Sequence, residues 1–255
     1  MRSILRFLAI TAFSAVLLCA GAAQAQLLAG KKEILRQSRL EWLNMKRHTP
    51  LAPTARIQNY VECVAYDIID VLDESYADLD WEVVVFDDDA INAFAMPGGK
   101  VGVFTGLLRV ADTPDTLAAV LGHEIAHLTE DHVMERARSA KRTDALVLLG
   151  GAATGLGGMV RDGATIFMSL PFGRAQESEA DVVGLKYMAQ AGYDPRSSIY
   201  LWKNMAAARQ SSTPEWLSTH PSDDKRMDDL VKSLTPALIE FNSAREAGRR
   251  PSCGA

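Results

Sequence analysis

Residues 120–132 read VLGHEIAHLTEDH, and this stretch is the most informative part of the chain. His123, Glu124 and His127 form an HExxH motif within an apolar run that predicts a buried helix. Two residues four apart lie on the same face of a helix, so both imidazoles can bind one Zn²⁺. Glu124 lies beside the metal without binding it and can act as a general base. The motif is short enough to occur by chance, but these side chains are costly to bury unless a metal or hydrogen bonds satisfy them.

The first 25 residues have the pattern of a secretory signal peptide. Arg2 and Arg6 make a basic start, residues 7–20 are apolar, and residues 23–25 read Ala-Gln-Ala. The pattern predicts a secretory signal that is cleaved before Gln26. An uncleaved membrane anchor is the alternative.

The net charge limits the classes of protein that this chain can belong to. It has 27 Lys and Arg against 32 Asp and Glu, and loss of the two signal-peptide arginines changes the net charge from −5 to −7. An acidic chain gives no support for nucleic-acid binding.

We expect a signal peptide over residues 1–25, a helical segment over 26–53, a catalytic domain over 54–247 and a tail over 248–255.

Two cysteines remain after the signal peptide, Cys63 and Cys253. In an oxidising compartment an even pair predicts a disulfide, which would tie the C-terminal tail to an early helix. Two free thiols are the alternative.

The secondary-structure pattern predicts an α+β fold. Residues 31–47 are prone to form a helix, and Thr54 can cap a second one that continues to about Ser75. Three short strands are expected over residues 81–86, 91–96 and 100–104, and the chain after Gly106 reads as helical.

Residues 145–160 are almost wholly apolar and rich in glycine. They are too few to span a membrane, which takes about 20 residues. We interpret them as a buried or lid-like segment beside the active site. Contact with a membrane surface is the alternative.

A catalytic zinc needs a third protein ligand, and the segment after HExxH does not provide it. The pattern HExxHxxGxxH would require Gly at position 130 and His at position 133, where the chain has Glu130 and Val133. His132 would lie about 140° around a helix from His127, so we expect it to be structural.

A later helix offers carboxylates. Residues 176–185 read QESEADVVGL, in which Glu177 and Asp181 share a face and Glu179 points elsewhere. Glu177 could bind zinc while Asp181 hydrogen-bonds the outer nitrogen of a ligand histidine. Acidic residues on a helix are also typical of a solvated face, so both interpretations stay open.

HExxH followed by Glu-x-Glu-Ala-Asp resembles the gluzincin family of the CAAX prenyl endopeptidases, HtpX and the periplasmic BepA/LoiP-type proteases. Three further blocks match in the family's order: residues 92–100 (NAFAMPGGK), residues 103–108 (VFTGLL), and His220-Pro221 with Arg226 six residues after the histidine. The resemblance covers roughly residues 60–230. The chain looks closest to the short, secreted, single-domain members.

The resemblance implies a mostly helical, zincin-like α+β domain with a small three-stranded sheet next to the HExxH helix. It implies one Zn²⁺ per chain, held by His123, His127 and Glu177. Glu124 would be the general base, and Asp181 would support a ligand histidine.

The resemblance also implies roles at the edges of the site. His220 and Arg226 would stabilise the oxyanion, although in some relatives the histidine occupies the metal's open position and silences the enzyme. A surface histidine capping a helix is a third interpretation. Asn92 and Ala93 would lie on an exposed edge strand, where an extended substrate can add main-chain hydrogen bonds. An ordinary strand around a buried Phe94 fits the same residues.

These observations favour a periplasmic zinc endopeptidase that acts on extended or misfolded envelope proteins. A chaperone-like binding protein, with a zinc site that is structural or shut by His220, is the rival hypothesis. A hydrolase of non-peptide substrates is a third, without a pocket motif in its favour.

Overall fold

The computed structural model describes residues 30–77, 79–140, 171–209, 214–221 and 224–254. The predicted signal peptide and the apolar segment 145–160 both lie outside these ranges. Within the described ranges, no helix combines the length and the hydropathy needed to cross a membrane.

The described part of the chain is mostly helical, with one small sheet, which confirms the predicted α+β class. The helices are α1 (residues 30–48), α2 (Ala55–Ile69), α3 (Glu74–Ala77), α4 (Pro114–Thr129), α5 (residues 132–140), α6 (Arg174–Gln190), α7 (Ser197–Ala208), α8 (Trp216–Thr219) and α9 (Asp224–Glu246). The strands are β1 (Glu82–Phe86), β2 (Ala93–Met96) and β3 (Lys100–Phe104), and a 3₁₀ helix, Thr105–Arg109, follows β3.

The three strands form a mixed sheet in the order β1-β3-β2. β3 pairs in parallel with β1 and antiparallel with β2. One face carries Phe86 and Phe94, which pack on Trp42 of α1, and Phe104, which packs on these two phenylalanines. The other face is built from small and β-branched residues that join the main core with α2 and α4 (Val83, Val85, Ala93, Val101 and Val103). Helices therefore cover both faces of the sheet.

Helix α2 begins where the sequence predicts, because the Thr54 hydroxyl caps its first turn. It ends at Ile69, earlier than the predicted end near Ser75. A turn follows, and the Tyr76 hydroxyl of α3 then donates to the Thr129 carbonyl at 2.5 Å, at the end of α4. This contact requires a change of chain direction, so tertiary structure overrides a locally helical pattern.

A disulfide joins Cys63 of α2 to Cys253, across a sequence separation of 190 residues. Beside it, the Tyr193 hydroxyl donates a hydrogen bond of 2.7 Å to Asp67. The last described residues of the chain are thus held against α2.

Candidate active site

Helix α4 carries the HExxH motif, and a capping box fixes its start. The Thr113 hydroxyl accepts from the Thr116 N–H at 3.1 Å, and the Thr116 hydroxyl accepts from the Thr113 N–H at 3.0 Å. Pro114 occupies the first helical position. Nearly all of the helix is buried, including the motif. The motif therefore lies at a fixed place in the core.

Four side chains from three parts of the chain converge in front of α4. The Nε2 atoms of His123 and His127 lie 3.0 Å apart. Glu177 of α6 places Oε2 3.6 Å from His123 Nε2 and Oε1 3.4 Å from His127 Nε2. His220 places Nδ1 3.1 Å from His123 Nε2 and 3.0 Å from Glu177 Oε1. One possible ligand atom from each of these four residues lies within 4.8 Å of the other three. Buried imidazoles and a carboxylate are donors that suit a divalent metal such as zinc, so these residues fit a metal ion.

Helices α4 and α6 approach closely because each has a glycine at the contact. A Cβ atom added to Gly122 would lie 2.7 Å from the Gly184 carbonyl oxygen, and one added to Gly184 would lie 2.7 Å from the Gly122 carbonyl carbon. Gly122 directly precedes His123. This backbone contact therefore sets the distance between the HExxH helix and the carboxylates of α6.

The carboxylates of α6 are held from behind by a buried arginine. Asp181 Oδ1 lies 3.0 Å from His123 Nδ1, the nitrogen that faces away from the cluster. Arg226 donates from Nε and Nη2 to both oxygens of Asp181 at 2.8 Å, and its Nη1 lies 2.6 Å from Glu177 Oε2. Nη1 also donates to the Pro221 carbonyl at 2.8 Å. In this arrangement Arg226 positions carboxylates, and the oxyanion role expected for it would require it to leave them.

Glu124 is buried beside the cluster and is held by α8. Its Oε1 accepts from the Trp216 indole N–H at 2.7 Å. His220 Nε2 lies 3.3 Å from the same oxygen, and the His220 ring stacks on Trp216 with centroids 4.7 Å apart. His220 thus bridges the candidate general base and the candidate metal ligands. It is 2% exposed, which excludes the surface capping interpretation.

The ring of His127 is enclosed by residues outside the motif. Phe172 stacks on it with centroids 3.7 Å apart, and the Arg136 guanidinium lies over the other side of Phe172 at 3.8 Å. His132 Nδ1 lies 3.1 Å from His127 Nδ1. Phe172 thus covers one face of this imidazole, and His132 contacts its outer edge.

Electrostatics in the cluster favour a positive charge. Burial opposes protonation of His123, but hydrogen bonds to Asp181 and Glu177 outweigh it and raise the pKa of His123 to about 9. Burial lowers the pKa of His127 well below its usual range. Burial also opposes ionisation of Glu177 and Asp181, yet their cationic and hydrogen-bonding neighbours lower the pKa of both carboxyls. A metal cation in place of the His123 proton would be stabilised by the same carboxylates.

Asn92 directly precedes the edge strand β2, and Ala93 is its first residue. The expectation that these two residues are exposed was wrong. Each residue is 1% exposed, because α1 and α4 pack on the two faces of the strand. Neither polar side-chain atom of Asn92 has a hydrogen-bond partner among the residues that the structure describes. The neighbouring Ile91 carbonyl accepts from the Trp216 backbone N–H at 3.0 Å. The segment that leads into β2 thus contacts the same segment that carries His220.

The sequence analysis did not identify Trp216, Phe172 or the Gly122–Gly184 contact. Trp216 precedes His220 by four residues, and this spacing of one helical turn is a signal that could have paired them. No local pattern marks Phe172 as a neighbour of His127.

The HExxH helix, the carboxylate helix and the small mixed sheet define a zincin-like metallopeptidase domain. The profile of "Peptidase family M48" matches residues 53–234. Mitochondrial metalloendopeptidase OMA1 of Schizosaccharomyces pombe is 39% identical over 184 residues, which cover 71% of this chain and 54% of that protein. The Bos taurus OMA1 is 32% identical over 232 residues, which cover 83% and 44%. The Beta-barrel assembly-enhancing protease of Escherichia coli is 32% identical over 172 residues, which cover 61% and 35%.

The chain belongs to peptidase family M48, which confirms the family that the motifs predicted. The matched region spans about half or less of the length of these relatives. About half or more of each relative therefore lies outside the region that matches this chain.

Proposed function

We propose that this protein is a zinc-dependent endopeptidase of the bacterial periplasm, with one Zn²⁺ per chain, that cleaves extended or misfolded envelope proteins. The observation that carries the proposal is the convergence of His123, His127 and Glu177 on one point with Glu124 beside them. Bound zinc would polarise the peptide carbonyl and lower the pKa of the attacking water towards about 7.

The chain's own residues supply the proton transfers. Glu124 takes a proton from the attacking water and delivers it to the leaving amine. Its Oε1 is occupied by Trp216 and His220, so α8 has to withdraw before a water can reach it. Asp181 keeps the His123 ring oriented through Nδ1.

His220 acts as a latch in this proposal. Its Nδ1 lies among the atoms of the candidate metal ligands, where it would compete with a water or a substrate carbonyl for a place beside them. Burial of His220 and its stacking on Trp216 stabilise the closed form. Opening therefore exposes the general base and the metal position together.

Withdrawal of α8 would free polar groups beside β2 that an extended polypeptide could bind. The Ile91 carbonyl would lose the Trp216 N–H, and the Asn92 amide already lacks a partner among the described residues. Both groups lie directly before the edge strand β2, to which an extended chain can add by main-chain hydrogen bonds. Binding of this kind reads the backbone, which favours unfolded substrates.

The periplasm and the role in envelope quality control rest on two observations. Residues 1–25 have the pattern of a signal peptide. One relative from Escherichia coli is named a beta-barrel assembly-enhancing protease. The OMA1 relatives are named mitochondrial, so the compartment rests mainly on the signal pattern.

A chaperone-like binding protein is the second candidate function. Its support is that His220 completes a set of four protein donors, since structural zinc sites are closed by four protein ligands. In that case the latch would never open, and Glu124 would have no catalytic part.

Replacing Glu124 with Gln tests the proposal. Zinc content should be unchanged and cleavage of casein should fall to background, because the amide cannot take a proton. Glu246→Gln, on the exposed end of α9, is the matched control and should cleave like wild type. Full cleavage by Glu124→Gln would contradict the mechanism. Full rescue of a deletion phenotype by Glu124→Gln would favour the binding function.

A further inference from the structure

The turn between α4 and α5 brings His132 back against the HExxH motif. On a continuous helix His132 would lie about 140° away from His127. Asp131 instead adopts a left-handed backbone conformation (φ 62°), which few residues other than glycine adopt. Arg138 holds this turn by donating to the Asp131 carboxylate at 2.9 Å. As a result the His132 ring, 3% exposed, faces the outer edge of His127.

Three groups form a chain of hydrogen bonds that leads outwards from the cluster. His127 Nδ1 lies 3.1 Å from His132 Nδ1, and His132 Nε2 lies 3.2 Å from Glu179 Oε2. The Glu179 side chain is 56% exposed, so this chain of contacts ends at the solvent. His132 is therefore the only link between a buried candidate ligand and this carboxylate within the described residues.

For a neutral His132 ring, the carboxylate of Glu179 fixes which groups donate and which accept in this series of hydrogen bonds. A carboxylate only accepts, so the neutral His132 ring carries its proton on Nε2 and donates to Glu179. Its Nδ1 then has a lone pair, which accepts a proton from His127 Nδ1. His127 is left with an unprotonated Nε2, the atom that faces His123 and Glu177 in the cluster. The reverse order would place a proton on Nε2 and leave no lone pair for a metal.

We propose that His132 and Glu179 are positioning residues that fix the tautomer and the orientation of His127 for metal binding. The inference rests on the proposed function, because it assigns His127 as a zinc ligand. The two ligand histidines would then be supported differently: His123 directly by Asp181, and His127 through a second imidazole by Glu179. Loss of such an outer partner typically weakens metal affinity about 10- to 100-fold.

The test measures zinc affinity by competition with a chelator, in the full-length protein. His132→Phe fills the same space without hydrogen bonds and should weaken zinc binding about 10- to 100-fold. His132→Gln keeps an amide oxygen for His127 and an amide N–H for Glu179, so it should retain most of the affinity. Glu179→Gln should lose affinity in the same direction but by less.

Glu135→Gln is the matched control, because Glu135 also links α5 to α6, through Gln176 at 3.0 Å, without contacting His127. It should bind zinc like wild type. The visible absorption spectrum of the Co²⁺-loaded protein provides a second readout, which should change in His132→Phe and Glu179→Gln and stay unchanged in the control. If His132→Phe does not fold, the exposed Glu179 carries the test.

Three outcomes would overturn the inference. Wild-type affinity in both His132→Phe and Glu179→Gln would show that the relay does not act on the metal. Equal losses in His132→Phe and His132→Gln, with wild-type affinity in Glu179→Gln, would show that the site needs the His132 ring itself and no hydrogen bond passed on from Glu179. Absence of zinc binding in the wild type would overturn the proposed function together with this inference.

Discussion

His220 is the side chain on which the state of the site depends. Its two ring nitrogens contact the two halves of the chemistry, with Nδ1 among the candidate ligands and Nε2 beside Glu124. In the proposed function, a side chain in this place would block both the metal's open position and the general base. Removal of the imidazole should then release activity.

His220→Ala should raise casein cleavage about tenfold or more. One hydrogen bond to a charged group contributes about 1.5–3 kcal/mol, and 1.36 kcal/mol corresponds to a factor of ten in rate. His48→Ala, at the exposed end of α1, is the control and should leave the rate unchanged. Lower cleavage with zinc retained would instead assign His220 to stabilisation of the oxyanion.

The raised pKa of His123 predicts how the metal-free protein responds to pH. An unfolded histidine titrates near 6.5, whereas the pKa of His123 is about 9 in the folded state. The folded state therefore binds an extra proton between these values, and its contribution to stability is lost as the pH rises. The opposite shift of His127 acts below pH 6.5 and does not interfere.

With EDTA present, the unfolding temperature should fall as the pH increases from about 6.5 to about 9. Zinc-loaded protein should show no such fall, since the metal replaces the proton. A His123→Asn variant without metal is expected to give a flat profile over the same interval. An unfolding temperature that rises through this interval in the wild type would contradict the assignment.

At the scale of elements, the contact between α4 and α6 decides whether the site can form. Both helices bury polar residues, and they meet at a pair of glycines rather than at interlocking side chains. Helix α9 then packs on α6 and supplies Arg226, which ties the two carboxylates together. The distances between ligands from different helices are therefore set by backbone contacts.

Gly184→Ala should weaken zinc binding and lower stability by about 1–3 kcal/mol. The added methyl would lie 2.7 Å from the backbone of Gly122 and His123, so the helices have to separate. Chemical denaturation and chelator competition measure the two effects. The control is Gly30→Ala, in helix α1, where the methyl meets nothing within 4 Å and should be neutral or stabilising. Wild-type zinc affinity in Gly184→Ala would show that this contact does not set the site.

Across the whole molecule, the sequence predicts which residues share a face of one helix or strand. It does not predict contacts between residues that are far apart in the chain. The HExxH face, the Glu177–Asp181 face and the three strands follow from periodicity, and the structure brings these residues together. The Trp216–Glu124 hydrogen bond joins residues 92 positions apart, and no local pattern indicates it. The buried state of β2 likewise depends on α1 and α4, which pack on its faces from other parts of the chain.

For two residues of the site, the sequence identifies the residue but gives no indication of its partner. His132 looked structural because a continuous helix would carry it away from His127, and only the left-handed Asp131 reverses that geometry. The resemblance assigns Arg226 to stabilisation of the oxyanion, whereas its guanidinium contacts the carboxylates of Asp181 and Glu177. In both cases the residue was identified and its partner was not.

In the proposed function, one zinc ion bound by the HExxH helix and Glu177 makes this molecule a peptidase. Metal analysis of purified protein, paired with casein cleavage before and after chelation, tests this directly. We predict close to one zinc per chain, loss of cleavage on chelation, its return with added zinc, and neither zinc nor cleavage in Glu177→Ala. Full cleavage by metal-free protein, or by Glu177→Ala without zinc, would contradict it.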